Sequence, residues 1–600
     1  MKFLNKIIDK YFRHFGFFYG YVGPRLFIII LLSILVGLLD GFGLALFIPI
    51  FEIAAEGNDF QSSGSMGELD FLLTFLQDLG FSLSMNSVMV FMIVLFFVKA
   101  IFRFIDGYFK IKLQNEFVRN IRYQMVDGLS DLDYKQFLKM DSGRIQNTLS
   151  AEALKLTYGF LAYFNSLQHA ILLLVYIGLA FLSNYQFAIL VSLGGYLSNF
   201  IFRYLFKNTE KASIHLSSLG HSFQSYLIQA VHNFKYLKAT NYFNDYKNKL
   251  KDVIDQIELN QRKIGIYSSI MTSAREPIIL TVVAIIILIQ VEFLGGTLTS
   301  IVLSLVFLYR ALNYIVTLQG SWQGFISNIG GVISSVELIK EFGINKEVIL
   351  SSDEAIKIET LGLEKISFIY PNGAKVLEDV QINMEPLKTY AFVGESGSGK
   401  TTLVNLMIGL VHPSEGRILV NGKDRKSIDL LNYRKRFGYI TQEPVIFNDT
   451  IFNNVTLWAS KSPENIDRFQ NAIQLASMNQ FMNELPDKED TRLGDNGLLV
   501  SGGQKQRISI ARELFKDVDV LIFDEATSAL DSETERLIQD NIDMLMGRFT
   551  IVIIAHRLST IRKSDVITLM SKGKVVQSGD FEALLSSNPQ FKRMVELQEF

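Results

Sequence analysis

Cysteine is absent from the 600 residues, which excludes a disulfide framework, a thiolate metal site and a cysteine nucleophile. Histidine is scarce: seven residues are scattered without an HExxH spacing, so metal-centred hydrolysis has no ligand set. An excess of one charge is missing too, since 58 Lys and Arg stand against 60 Asp and Glu for a net charge of -2. Without a basic surface there is no electrostatic case for nucleic acid as the main partner. The N-terminal stretch also lacks the charged start and apolar run of a cleavable signal.

What is there divides into unlike halves. From Arg25 to Phe325 the chain is dominated by long runs of Ile, Leu, Val, Phe and Ser, whereas from Ile356 onward short strand and helix patterns alternate. The composition predicts a multidomain chain: an all-α membrane domain over 25–335, a linker at 336–355 and an α/β domain over 356–600. A helix at 1–24 precedes them, with Leu4, Ile7, Ile8, Tyr11, Phe12 and Phe15 on one face and Lys2, Lys6, Lys10 and Arg13 on the other. Such an elbow either lies flat at the inner leaflet, its cations near anionic head groups, or packs on its own protein.

A bilayer core needs ~20 apolar residues of helix. Six segments qualify, near 25–50, 85–108, 160–183, 185–206, 265–291 and 295–319. The stretch from Glu52 to Ser84 holds six acids and no Lys or Arg, while Lys110, Lys112, Arg119, Arg122, Lys135, Lys139 and Arg144 fill the second connection and seven lysines from Lys207 to Lys251 the fourth. Positive residues stay inside, so both long connections and both termini are expected in the cytoplasm. Helical periodicity continues through these connections, predicting helices that project ~30 Å beyond the membrane and turn near Asp133 to Met140 and Val231 to Asn241. Outside, Glu68 to Phe81 carries Leu69, Leu72, Leu73, Leu76 and Leu79 at helical spacing. It is too short to span and reads as an external amphipathic helix.

Cations inside spans are the next signal, because a charge at mid-bilayer costs ~3 kcal/mol on insertion scales. Lys99, Arg103, Arg275 and Arg310, within or near the spans, carry that cost. Two readings stand: Lys99, Arg103 and Arg310 face a wet cavity and meet an anionic head group, or Arg103 pairs with Asp106 and Arg275 with Glu276 while the rest snorkel.

The second half begins its chemistry at Gly394-Glu395-Ser396-Gly397-Ser398-Gly399-Lys400-Thr401, a full GxxxxGK[ST] loop followed by Thr402. The strand-like Thr389 to Val393 precedes it and a helical pattern to Leu410 follows. Glycines let backbone N–H groups close on phosphate oxygens, the helix N-terminus adds its dipole, Lys400 reaches the β and γ phosphates, and the Thr401 hydroxyl takes Mg²⁺. Downstream, the apolar run Val520 to Phe523 ends in Asp524-Glu525, a buried strand delivering two acids at its edge. Asp524 would serve Mg²⁺, and Glu525 would orient the attacking water.

Val500-Ser501-Gly502-Gly503-Gln504 resembles the LSGGQ signature of the ATP-binding cassette (ABC) superfamily. With that resemblance, Tyr370 takes the place of the adenine-stacking tyrosine, Gln442 of the Q-loop residue beside Mg²⁺ and the attacking water, Asp531 of the D-loop acid and His556 of the switch histidine. It implies that the signature of one subunit caps the ATP held by the other's phosphate loop, hence a dimer. Phe447 to Asn454 is similar to the F-x-x-T-I-x-x-N stretch of exporter cassettes, and the order of membrane domain before cassette agrees. The implied protein is an exporter or flippase using ATP and Mg²⁺, in a bacterial inner membrane, with an amphiphilic, lipid-like cargo. Lys400, Ser501, Glu525 and His556 are all in place, so a homodimer would hold two competent sites; the intact member of a heterodimer is the competing expectation. A cassette that gates a channel or regulates a partner is the alternative. Leu39 to Pro49 resembles lipid-linked oligosaccharide flippases. Two departures stand out: Val500 where Leu is usual, and Thr491 to Gly497, which matches the exporter segment TEVGERG only in part.

Overall fold

The computed structural model describes residues 13–56, 67–183, 185–288, 298–350, 356–370, 373–525, 532–555 and 560–597. The chain forms two compact units, one of residues 1–132 and 139–346, the other of 133–138 and 347–600.

Long helices build the first unit. Arg25–Ala45 leads into Phe47–Glu56, and Met85–Ser130, Ala153–Ser183, Tyr185–His232, Phe243–Ser273 with Arg275–Leu288, and Leu298–Ile344 follow. Met85–Ser130 has 46 residues, about 69 Å at 1.5 Å each, more than twice the ~30 Å of a bilayer core. Among the described residues four stretches are long and apolar enough to cross a membrane, Arg25–Ile53, Met85–Ser130, Ser142–Leu182 and Phe243–Ile285. The expected fourth and sixth spans fall on the Tyr185–His232 and Leu298–Ile344 helices. Short helices at Tyr134–Phe137 and Phe234–Ala239 form the two turns, the first capped by Asp133, whose carboxylate accepts from the Gln136 N–H at 3.1 Å.

Small residues let these helices touch. A Cβ on Gly41 would sit 2.1 Å from Leu179 Cδ1, and one on Gly330 would sit 2.3 Å from the Ser213 carbonyl oxygen. Aromatic packing fills the space between other faces: Phe18, fully buried, meets Tyr163 at 4.6 Å between ring centroids and also Phe117, Phe160 and Phe164. That contact packs the Arg13–Val22 helix on the long helices; residues 1–12, which carry most of the expected elbow, lie outside the described set. The external helix appears as Gly67–Asp70 and Phe71–Asp78. Leu69, Leu72, Leu73 and Leu76 are buried, but Leu79 is 54% exposed, because the helix stops at Asp78. The linker expected at 336–355 starts later than its composition suggests, since the last membrane helix runs unbroken to Ile344.

Among the described residues the second unit holds two sheets. One is antiparallel, ordered β2-β1-β4-β5, with β1 Leu361–Ile369, β2 Lys375–Met384, β4 Glu415–Val420 and β5 Lys423–Asp424. The other is ordered β10-β9-β3-β8-β7-β6, with β3 Thr389–Val393, β6 Phe437–Ile440, β7 Val520–Asp524, β8 Thr550–Ile554, β9 Val566–Ser571 and β10 Lys574–Gly579. From β9 to β6 it is parallel, and only β10 runs against its neighbour. Strands β3, β7 and β8 are buried at every position, which is why they read as unbroken apolar runs.

Candidate functional site

Parallel strands deliver their C-terminal ends to one edge of the sheet, where ligands of open α/β sheets bind. The phosphate loop leaves β3 and the acidic pair leaves β7, with the end of β8 between them. His556 is two residues past the end of β8 in sequence but lies outside the described residues, as does Asp531.

The loop's shape depends on its glycines. Gly394, Gly397 and Gly399 have φ of 150°, 77° and 101°, values that L side chains rarely adopt. A Cβ on Gly394 would also stand 2.1 Å from the Met570 carbonyl oxygen, and one on Gly399 2.6 Å from Leu377 Cδ2. Gly399 caps the Lys400–Ile408 helix, whose unpaired N–H groups then face the loop. Lys400 is buried, and its ammonium donates to the carbonyl oxygens of Gly394 at 2.8 Å and Glu395 at 3.0 Å. Ser398 Oγ lies 3.4 Å away. Burial pushes the Lys400 pKa down, and the charges of Glu525 and Asp524 oppose that. The cation is thus held by neutral acceptors that phosphate oxygens can replace with a stronger, charge-assisted bond.

A cavity of about 170 Å³ opens here, lined by Val376, Ser396, Gly397, Gly399, Lys400, Thr401, Thr402 and Glu525. It brings together the loop and the acid expected to position water. Glu525 has φ 52° and its N–H donates to the Ile554 carbonyl at 3.0 Å; a left-handed glutamate at a strand end is strained backbone, the kind retained at functional sites. Asp524 is buried and accepts from the Tyr439 hydroxyl at 2.9 Å. Burial raises its pKa, as does the Glu525 charge, while Tyr439 and Lys400 lower it. Tyr370, half-buried, sits beside the loop with its hydroxyl 3.2 Å from Thr402 Oγ1. Gln442 is exposed after β6 and does not line the cavity.

Two contributors were not marked by their local sequence. Val376 lies on β2 and looks like any strand residue. Tyr439 is brought to the site by the β6–β7 register, which sets it opposite Ile522; its place three residues before Gln442 is the one signal that points to it.

The signature forms a different feature. Ser501 caps the Gly502–Phe515 helix in a capping box with Gln504: Ser501 Oγ accepts from the Gln504 N–H at 3.3 Å, and Gln504 Oε1 from the Ser501 N–H at 2.8 Å. Ser501 and Gly502 are exposed and Gly503 is buried. None of the four lines the phosphate-loop cavity of its own chain.

Among the expected cargo cations, Lys99 is ion-paired with Asp40, which also accepts from the Tyr176 hydroxyl, and its ammonium lies 4.9 Å from the Phe96 ring centroid. Arg103 is exposed and Arg310 half-buried. Among the described residues the local pairing expected for Arg103 is not made; Asp106 Oδ2 instead meets the Lys110 ammonium and the Gln168 amide, both at 2.8 Å.

Comparison with known proteins agrees with this architecture. The ABC transporter family matches residues 377–528 and the ABC transporter transmembrane region matches 26–309. An ATP-dependent lipid A-core flippase of Cupriavidus pinatubonensis is 29% identical over 521 residues, covering 84% of this chain and 86% of its own. The heterocyst differentiation ATP-binding protein HepA of Nostoc sp. is 28% identical over 512 residues, 84% of this chain and 82% of that one. The structure of a bacterial Atm1-family ABC exporter with ATP bound superposes with a TM-score of 0.77 at 22% identity, covering 96% of this chain and 98% of that one. An integral membrane region fused to a nucleotide-binding cassette, in that order, makes this chain a member of the ABC transporter family.

Proposed function

We propose that two copies of this chain form an ATP-driven exporter that moves an amphiphile from the inner to the outer leaflet of a bacterial cytoplasmic membrane, the cassettes lying in the cytoplasm. The observation that carries the reading is the compact unit of the cassette, which includes residues 133–138 from a membrane connection. Tyr134 packs on the cassette core, and the Lys135 ammonium lies 5.5 Å from the Phe368 ring centroid. A cassette that moves therefore carries the tip of a membrane helix pair with it.

ATP is bound by the backbone of Gly394 to Gly399 and by Lys400, with Tyr370 placed for the base and the partner's signature supplying the other wall. The chain's own site is incomplete without that second copy, since Ser501 to Gln504 stand apart from the cavity. Thr401, Asp524 and the Gln442 amide are oxygen donors suited to Mg²⁺, and the buried Asp524 carboxylate held by Tyr439 fits a cation. Bound there, Mg²⁺ would neutralise phosphate charge. Glu525 orients and polarises water and Lys400 holds the terminal phosphates, while the family resemblance gives His556 the role of switch histidine and Asp531 that of D-loop acid. ATP binds the joined cassettes better than the separated ones, and that differential affinity drives the membrane halves. Arg103 and Arg310, with Lys99 already answered by Asp40, are the cations for an anionic head. The name lipid A-core flippase, carried by a relative matched over 84% of the chain, supports a lipid cargo.

The test is reconstitution of the purified chain in vesicles, with ATP-dependent translocation read for a panel of phospholipids, glycolipids and hydrophobic compounds. Glu525→Gln should bind ATP, lose steady-state turnover by a factor of ~100 or more and translocate nothing. ATP hydrolysis without translocation of any amphiphile would favour a gating or regulatory role instead.

A further inference from the structure

A second cavity lies in the membrane unit, about 330 Å³ in volume, and has no part in the nucleotide chemistry. Three helices enclose it: Ala153–Ser183 contributes His169, Phe243–Ser273 contributes Ser268 and Thr272, and Leu298–Ile344 contributes Thr317, Ser321 and Gln323. Among the described residues its lining contains no Asp, Glu, Lys or Arg. His169 stands fourteen residues before the outer end of its helix, about 21 Å at 1.5 Å each. That depth belongs to the inner half of a ~30 Å core.

Polar side chains at such a depth are costly unless they meet a partner or a wet cavity. Some meet each other: His169 Nδ1 lies 3.1 Å from Ser321 Oγ, and the Gln323 amide donates to Thr209 Oγ1 at 2.8 Å. Gln323 is only 3% exposed, and among the described residues its carboxamide oxygen has no hydrogen-bond partner. A buried acceptor left so costs ~1–3 kcal/mol, which a hydroxyl reaching it from the cavity would offset. The size lies at the small end of ligand sites, ~300–1,000 Å³, enough for one ring and not for an acyl chain with its head.

We propose that this cavity is a subsite for a neutral, hydroxyl-bearing ring, a hexose unit in the head of an inner-leaflet lipid. Hydroxyls both donate and accept, as the Ser, Thr, Gln and His lining requires, and the absence of a fixed charge discriminates against phosphate and ammonium heads. The proposal rests on the exporter reading and names one part of its cargo, distinct from the anionic part assigned to Arg103 and Arg310.

The test uses the full-length chain, purified as its dimer and reconstituted in vesicles. ATPase stimulation is titrated with monoglucosyl diacylglycerol, with phosphatidylglycerol of the same chains, and with methyl glucoside. The double variant Ser268→Val/Thr272→Val changes two exposed wall positions, and Gln323→Met is the buried counterpart, with thermal unfolding reporting whether it folds. The half-saturating concentration of the glucosyl lipid should rise about tenfold in the double variant, that of phosphatidylglycerol should hold, and methyl glucoside should not stimulate. Equal titrations of the glucosyl lipid in parent and double variant overturn the subsite while leaving the exporter reading in place. Stimulation by methyl glucoside alone overturns the lipid-borne assignment. If no amphiphile stimulates or is translocated in the parent, the exporter reading fails and the subsite falls with it.

Discussion

Tyr439→Phe removes one oxygen and leaves the ring. The lost atom is the donor 2.9 Å from Asp524 Oδ2. Burial and the neighbouring Asp524 charge both push the phenol well above its usual pKa, so it donates at every working pH. Asp524 is itself pushed up by burial, and Tyr439 is the first of the groups that hold it down. A hydrogen bond to a charged group contributes ~1.5–3 kcal/mol, or about ten- to a hundredfold in the balance between carboxylate and acid. The sign is fixed: without the phenol, Asp524 protonates at a higher pH, and protonated it cannot serve Mg²⁺. The acid limb of the ATPase profile should therefore move upward, with the rate at pH 6 falling more than the rate at pH 8. Raised Mg²⁺ should restore part of the loss. Steady-state ATPase from pH 5 to 9 at two Mg²⁺ concentrations measures both. An unmoved acid limb with an unchanged Mg²⁺ requirement refutes the role given to Tyr439.

Gly394→Ala should abolish ATP binding while the chain stays in the membrane, because the added carbon would lie 2.1 Å from the Met570 carbonyl oxygen at φ 150°; equilibrium binding of a fluorescent ATP analogue reads this, and near-normal affinity would show that the loop adapts. Lys99→Met should destabilise the membrane unit by ~3–5 kcal/mol, since it leaves the buried Asp40 carboxylate without its countercharge. Adding Asp40→Asn to it should recover much of that loss in thermal unfolding, and an additive double variant would show that the pair is not coupled.

What could be read from the sequence was local. The phosphate loop, the Asp524-Glu525 pair and the Ser501 to Gln504 cap each lie within a few consecutive residues, so spacing alone announces them. The strands behind them were legible because burial on both faces removes polar alternation. Contacts between elements were not. Nothing near Lys99 announces Asp40, which belongs to another helix, and Asp106 had a closer-looking partner in Arg103 than the Lys110 it takes. The π-helix at Thr148–Glu152 shifts the helical register by less than a turn, too little for apolar periodicity to register. The late end of the last membrane helix, at Ile344, was hidden by the charged residues on its final turns.

The central claim is that each ATP site is shared between two copies. Two tagged forms of the chain, both carrying Glu525→Gln to retain bound ATP, separate the possibilities when one also bears Lys400→Ala and the other Ser501→Arg. Mixed dimers isolated through both tags contain one site with an intact loop facing an intact signature if the site is shared. One ATP retained per mixed dimer and none for either form alone is the expected result; no retained ATP in the mixed dimers, under conditions where the Glu525→Gln parent retains it, would show that the site is not shared.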